Sequence, residues 1–287
     1  MRKIQERIFI ITIKTLTFIS ILLLGFIIFF IFKESFTFFK NHSIAKFLLG
    51  KSWAPTLQEP KFSILPMILS TLYVAFIATL IALPIGIGSA LFLSTYLNKN
   101  KKRYIRLLVE VLAGIPSVVY GFIGLVVLVK LFETKLSLSS GESVLTGGIL
   151  LSIMILPYII SICDESIERI YDKYLISSNA LGVSKAYMIR KIVLKECRRS
   201  ILAGVVLALG RAMGETMAVM MVIGNSPIMP RLLGKCQTIP SLIALEMGMT
   251  EVGSMHYHAL FASGFVLMVL ILIINIALHY IKKSIGY

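Results

Sequence analysis

The chain has 287 residues, 57% of them from the apolar AVILMFWYC set and 15% charged, against about 45–50% and about 25% in soluble domains. So little charge cannot cover a water-facing surface, and an ordinary soluble domain is excluded. The formal net charge of +15, in a chain this apolar, points to Lys and Arg gathered on the cytoplasmic side of a membrane rather than to a nucleic-acid surface. A lipid bilayer is therefore the expected surrounding, and no nucleic acid is expected as a partner.

Stretches free of Asp, Glu, Lys and Arg mark the candidate crossings in chain order: residues 15–32, 62–98, 111–129, 143–163 and 252–281. Each approaches or exceeds the roughly 20 apolar residues that a bilayer crossing needs. A sixth, about 201–224, is long enough but carries Arg211 and Glu215 inside it. The stretch at 62–98 is too long for one straight span and too short for two. It is read as a single helix starting near Pro66 and bent around Pro84. The expected fold is thus all-α, a polytopic helical membrane protein with six transmembrane helices.

With the N-terminus placed in the cytoplasm, eighteen Lys and Arg fall in inside segments and nine in outside ones. The short loop with Lys99, Lys101, Lys102, Arg103 and Arg106 weighs most, so both termini are expected in the cytoplasm. The first apolar run is too long for a cleavable signal and ends in Phe32-Lys33-Glu34 rather than a small-residue site. It is read as a retained signal anchor, with an outer loop completing an N-terminal unit over 1–62 and the permease-like core over 63–287. Trp53 in that loop is read as an interfacial aromatic.

Several motifs carry no chemistry. Residues 45–52 match a relaxed phosphate-loop spacing, but the interior Lys46, Phe47, Leu48 and Leu49 replace the glycines that let backbone N–H groups ring a phosphate. If ATP drives this protein, another subunit binds it. Cys163, Cys197 and Cys236 are scattered and suggest neither disulfide nor metal site. His256 and His258, two apart, would point away from each other on a helix.

The chemistry concentrates in the fifth crossing. Arg211 and Glu215 are i,i+4 and would share a helix face, narrowed by Gly204, Ala208 and Ala218. An ionised side chain at mid-bilayer costs roughly 2.5–3.5 kcal/mol on insertion scales, so both are expected to face a partner or water. One reading is a gate or anion-binding point, in which the Arg211 donors suit a tetrahedral oxyanion, Glu215 pairs with it at rest or takes a proton-bearing oxygen, and Thr216 adds a hydroxyl. The other is a buried ion pair that only fixes helix rotation. A second unusual element is the inside loop over about 164–200. Leu175, Ile176, Ala180, Val183 and Tyr187 have helix-like apolar spacing, interrupted at Gly182. Such a helix either lies on anionic lipid or fills a groove on a cytoplasmic partner. Asp164, Glu165 and Glu168 before it are read as helix caps.

Ala180-Leu181-Gly182 followed by Ile192-Val193-Leu194 and a span resembles the EAA loop of ABC-importer permeases. Gly210-Arg211-Ala212-Met213-Gly214-Glu215-Thr216-Met217-Ala218-Val219 is similar to the signature of the PstC family, permeases of phosphate-specific importers; so are Gly114-Ile115-Pro116-Ser117-Val118-Val119-Tyr120-Gly121 and Thr238-Ile239-Pro240-Ser241. The PstA sister family usually continues Gly-Glu-Thr with Ala-Pro, where this chain has Met217-Ala218.

The resemblance implies a type I ABC importer permease fold and a permease subunit for inorganic phosphate. Its implied partners are a second, PstA-like permease, two copies of a PstB-like ATPase and an extracytoplasmic PstS-like phosphate-binding protein. ATP and Mg would bind on the ATPase, no cofactor on this chain. It assigns Arg211, Glu215 and Thr216 to the translocation path, and Ile176, Ala180, Leu181, Gly182, Val183 and Tyr187 to coupling with the ATPase. The family's EAA Glu falls at Ile176 and its closing Pro at Lys195, so coupling rests on the apolar face and Gly182, or this side of the interface is weaker. Rivals from the residues alone are a permease for molybdate or sulfate and an ion-coupled secondary carrier, the latter lacking paired broken helices or a second intramembrane acidic cluster.

Overall fold

The computed structural model describes residues 2–136 and 138–284. Met1, Ser137 and residues 285–287 lie outside the described residues, as do the side chains of Arg2, Lys3, Lys282 and Lys283 that entered the charge balance.

The elements in chain order are α1 (Arg2–Asn41), α2 (Ile44–Leu49), α3 (Leu65–Thr95), α4 (Lys99–Gly114), α5 (Ser117–Ile123), α6 (Lys130–Leu136), α7 (Val144–Ala180), α8 (Lys185–Met188), α9 (Leu194–Glu196), α10 (Arg198–Gly214), α11 (Met217–Met220), α12 (Ile239–Glu246) and α13 (Met255–Ser284). Two π-helical turns, Gly124–Val129 and Ile189–Val193, bridge α5 to α6 and α8 to α9. Among the described residues, five stretches are long and apolar enough to cross a membrane: Phe9–Asn41, Leu65–Thr95, Ser117–Lys135, Val144–Ala180 and Met255–Ile281. The sixth expected crossing is split between α10 and α11.

The centre of the bundle is the parallel pair α3 and α7: Ile77 lies beside Gly148, Gly86 beside Ile159 and Ser94 beside Asp164. Small residues set its spacing: a Cβ on Gly86 would lie 2.6 Å from Ile159 Cγ2, and one on Gly148 would lie 2.5 Å from Ile77 Cγ2. Without a hydrophobic drive between helices in lipid, such close backbone approach supplies the dispersion contact that holds them. Val74, Ala78, Leu151 and Ile155 close the seam with almost no exposure. The terminal helices pair separately. Phe30 meets Phe261 edge-on at 5.5 Å, Phe32 meets Phe265 at 5.8 Å, and His258 Nδ1 lies 2.9 Å from Glu34 Oε2. This pairing makes α1 and α13 antiparallel and puts the first turn of α1 and the last turn of α13 on one side.

Three expectations change. The third crossing, expected from 111, begins at Ser117, because Pro116 has no N–H and pushes Ile115 into an extended conformation (φ −67°, ψ 129°) that ends α4. The inside loop does not begin at 164: α7 continues to Ala180, so Asp164, Glu165 and Glu168 lie within a helix rather than capping one. Trp53 is not an interfacial residue but a core one, 6% exposed, its indole donating to Glu246 Oε2 at 3.0 Å. His256 and His258 do point apart, yet each has a carboxylate, His256 Nε2 lying 2.7 Å from Glu246 Oε2. The false phosphate loop is helix α2 followed by an extended Gly50 packed on Ser63.

The loop between α11 and α12 solves a backbone problem for α7. The first N–H groups of a helix have no intrahelical acceptor. Here Ser143, Val144 and Leu145 donate to the carbonyls of Val222, Gly234 and Leu232 at 3.2, 3.2 and 3.0 Å, and Thr146 N–H donates to Ser143 Oγ. Gly224 (φ 79°) and Asn225 (φ 42°) make the turn that brings the loop back. Lys235 then hydrogen-bonds Glu142 at 2.7 Å and holds its carboxyl below the usual 4.5.

Filling the α3–α7 seam is expected to destabilise it: Gly148→Val should cost about 1–3 kcal/mol by overpacking, read as a lower thermal unfolding temperature in detergent. The Glu142 pair has a defined sign. A depressed carboxylate pKa contributes stability above the unfolded value and loses it as pH falls through the folded one. Hydrogen exchange of residues 224–236 should therefore accelerate as pH falls below 4.5, after correction for intrinsic rates, and Glu142→Gln should remove that pH step.

Candidate functional site

The last turn of α10 presents Gly210, Arg211 and Gly214 to an open cleft of about 610 Å³, which Tyr158 of α7, Val206, Leu207, Glu215 and Asn275 of α13 complete. The floor is shallow because a Cβ at Gly210 or Gly214 would meet nothing within 4 Å. On the packed side, Gly204 approaches Ile162 and Cys163 of α7, and Ala208 is fully buried. Thus α10 lies flush against α7 along one edge and leaves Arg211 at the border of the cleft.

The Arg211 guanidinium carbon stands 4.4 Å from the centroid of the Tyr158 ring. A cation over an aromatic face is held by the ring quadrupole while its N–H donors, which lie in the guanidinium plane, stay available. Among the described residues Arg211 forms no hydrogen bond and no ion pair. The arrangement is a fixed, unneutralised fork of donors in an open recess, suited to an oxyanion.

Glu215 reaches the same cleft by a different route from the one its spacing suggests. The helix ends at Gly214, and Glu215 is extended (φ −68°, ψ 127°), so the shared helix face and the resting Arg211–Glu215 pair are not formed. Its carboxylate instead accepts from Ala218 N–H at 3.3 Å, capping the start of α11, where the backbone donors have no acceptor of their own. Thr216 Oγ1 donates back to Gly214 O at 3.2 Å and is not a lining residue of the cleft. The small residues beyond make a second close contact: a Cβ on Gly121 would lie 2.9 Å from Ala218 Cα. The two helix breaks, α4–α5 and α10–α11, therefore meet just past Pro116 and Glu215.

At the end of the bundle that carries the α7 C-terminus, residues 175–187 do not form one amphipathic helix. The helix α7 stops at Ala180, Gly182 takes φ 65°, and Leu181, Gly182 and Val183 donate to the carbonyls of Ser177, Asn179 and Ser178 at 3.2, 3.1 and 2.9 Å. This left-handed turn needs a glycine. It sets Ile176 (80% exposed) and Leu181 (79%) outward with Tyr187 and Ala180, while Val183 turns back onto the main core. Ser184 caps α8 by accepting from Tyr187 N–H. Lys185 anchors α8: its ammonium donates to Thr95 O and lies 4.0 Å from the Tyr96 ring centroid.

Sequence reasoning brought out Arg211, Glu215 and the turn residues but missed Tyr158, Asn275 and Lys185. Tyr158 follows Pro157 in an apolar run, and nothing in its spacing marks it. Lys102 and Arg106 on one helix and Asp164 and Glu168 on another are matching i,i+4 pairs, a signal that was legible and that the capping interpretation passed over.

Residues 82–287 match the family described as binding-protein-dependent transport system inner membrane component. The chain is 37% identical over 239 residues, 83% of it and 77% of the relative, to a probable ABC transporter permease protein YqgH of Bacillus subtilis. It is 35% identical over 302 residues to a phosphate transport system permease protein PstC of Mesorhizobium japonicum, covering 98% of this chain and 91% of that one. A probable PstC of Methanocaldococcus jannaschii is 32% identical, with 99% and 95% covered. Among solved structures, the MetNI methionine ABC transporter in an inward-facing conformation superposes with a TM-score of 0.62 at 16% identity, over 78% of this chain and 96% of that one, a likeness of fold. The chain belongs to the binding-protein-dependent transport system inner membrane components, a family of multi-pass transport permeases, and has the type I ABC permease fold.

Proposed function

We propose that this chain is the permease subunit of an ATP-driven importer of inorganic phosphate, the substrate named for its PstC relatives. The observation that carries the reading is Arg211, laid on Tyr158 with its donors free in an open cleft. A solitary cation is costly against lipid. The face that bears it is therefore the one a second, PstA-like permease covers, leaving a water-filled path between the two. Arg211 then binds the anion, Glu215 receives a proton-bearing oxygen of the substrate, and Thr216 holds the break in the helix.

The turn at Ile176, Ala180, Leu181, Gly182, Val183 and Tyr187 docks on one of two PstB-like ATPases, which bind ATP and Mg; this chain binds no cofactor. A PstS-like protein delivers phosphate to the opposite side, and both termini lie in the cytoplasm. Exposed Ile176 and Leu181 are apolar anchors of the helix-in-groove kind. They fill the role that an acidic residue at position 176 would otherwise share.

Two outcomes test the assignment. In vesicles holding the assembled complex, Arg211→Gln should lower phosphate uptake at least about tenfold, the loss of a charge-assisted hydrogen bond of roughly 1.5–3 kcal/mol. Normal uptake by that variant, or stronger competition by sulfate or molybdate than by phosphate, would refute the assignment. Gly182→Pro cannot adopt a positive φ and removes the donor to Asn179 O. It should abolish transport-stimulated ATP hydrolysis while the spans remain folded, as circular dichroism would show.

A further inference from the structure

Beside the coupling turn lies a buried ionic cluster that no step above uses. Lys102 Nζ is 2.9 Å from Asp164 Oδ1 and 2.9 Å from Glu168 Oε1, an ion-pair approach outside hydrogen-bond directions. Arg106 donates from Nε to Asp164 Oδ2 at 2.5 Å and from Nη2 to Glu168 Oε2 at 2.7 Å. Ser94 Oγ, at the end of α3, donates to Asp164 Oδ1 at 2.5 Å. Asp164 and Lys102 side chains are 2% and 7% exposed, those of Arg106 and Glu168 41% and 38%.

The cluster is what attaches α4. Its principal neighbours are α7 and the end of α3, and Lys102 is its one buried residue. Tyr104, Leu107, Leu108, Val111 and Leu112 all face away from the bundle. Two recesses, of about 930 and 270 Å³, flank the helix and share Arg106 in their walls. A helix seated by apolar interdigitation has one resting place, because cores are packed by shape. Here each cation touches both carboxylates, so α4 can shift and exchange partners without leaving any of the four charges unpaired. Such a two-arrangement element is what a conformational signal needs.

The cluster also sits where a signal would pass. Lys185 of α8 holds the Thr95 carbonyl and the Tyr96 ring, and Ser94 next to them holds Asp164. At the far end of α4, Tyr120 Oη reaches back across the Pro116 break to Leu112 O at 2.9 Å, and the neighbouring Gly121 packs on Ala218, three residues past Glu215.

We propose that the Lys102–Arg106–Asp164–Glu168 cluster is the joint that delivers movement of the coupling turn to α4 and, across Pro116, to the helix break beside Arg211 and Glu215. Arg106 and Glu168 are its positioning residues; neither touches the transported anion. The proposal rests on the coupling role assigned above to the turn at 181–187.

The test uses the full complex with its permease and ATPase partners in proteoliposomes, measuring phosphate taken up per ATP hydrolysed. Both variants are at half-exposed positions, which avoids stranding Lys102 as removal of Asp164 would. Arg106→Gln and Glu168→Gln should each lower that ratio about fivefold or more, the scale of an allosteric coupling. Yield of assembled complex and thermal unfolding temperature should stay near those of the unaltered complex. Arg106→Lys, which keeps the charge, should retain most of the ratio. An unchanged ratio in both Gln variants, a fall accounted for by lost complex, or a fall that Arg106→Lys does not relieve would overturn the joint. If the joint variants are normal while Gly182→Pro is uncoupled, the joint alone fails. If Gly182→Pro is itself normal, the coupling role of the turn fails.

Discussion

The approach of α3 to α7 through Gly86, Gly147 and Gly148 is the contact on which the other features depend. In lipid, apolar side chains gain nothing by leaving one another for acyl chains or the reverse, so helix pairs are held by close backbone packing. That single seam fixes three levels at once. At one end Ser94 is brought onto Asp164; at the other Val74 is brought near Gly147 and Ile223. Between them, the same helix turns Tyr158 toward α10, where Arg211 lies on it. A shift of α3 along α7 would move the ionic cluster and the cleft together.

The second constraint is backbone satisfaction. Backbone groups freed where a buried helix breaks must pair with protein or water. The two breaks have nearly the same form: Gly114 then extended Ile115 (φ −67°, ψ 129°), and Gly214 then extended Glu215 (φ −68°, ψ 127°). In the first, the missing donor is Pro116's own and Tyr120 Oη covers the Leu112 carbonyl. In the second, the Glu215 carboxylate takes the Ala218 N–H. A side chain committed to its own backbone in this way holds the break open without an ion pair, which is why Arg211 stays unneutralised across a shared cleft.

How much of this was legible follows from which signals are local. Apolar runs are local, and they place the centres of the crossings but not their ends: the first helix runs on to Asn41, the fourth to Ala180, and the third starts at Ser117 because a Pro outweighed the five residues before it. Charged residues were misread wherever a long-range partner decided their role. Asp164 and Glu168 looked like the end of a span, since the run without charges stops at 163. Lys102 and Arg106 neutralise them, and the helix continues for four more turns. Trp53 reaches Glu246 from 193 residues away, where His256 also meets it, and no spacing announces that. Arg211 and Glu215 were found because charge inside an apolar crossing is conspicuous, but i,i+4 geometry presumes a continuous helix, and Gly214 ends it.

Charge is placed in this chain according to whether it must be held or must act. The cations of the cluster are matched by acids, and Lys235 by Glu142, so each costs little to keep at the membrane boundary. Arg211, by contrast, is held among the described residues by the Tyr158 ring. A neutralising partner would cancel its field for any approaching anion, whereas an aromatic face fixes the guanidinium and leaves its positive charge intact. The proposed function asks for an occupied face: with lipid alone beside Arg211 the insertion cost of roughly 2.5–3.5 kcal/mol is not recovered, whereas a second subunit enclosing water would keep the ion hydrated until it exchanged water for oxyanion. Under that proposal Arg211 would constrain both the position of the partner and the chemistry of the path.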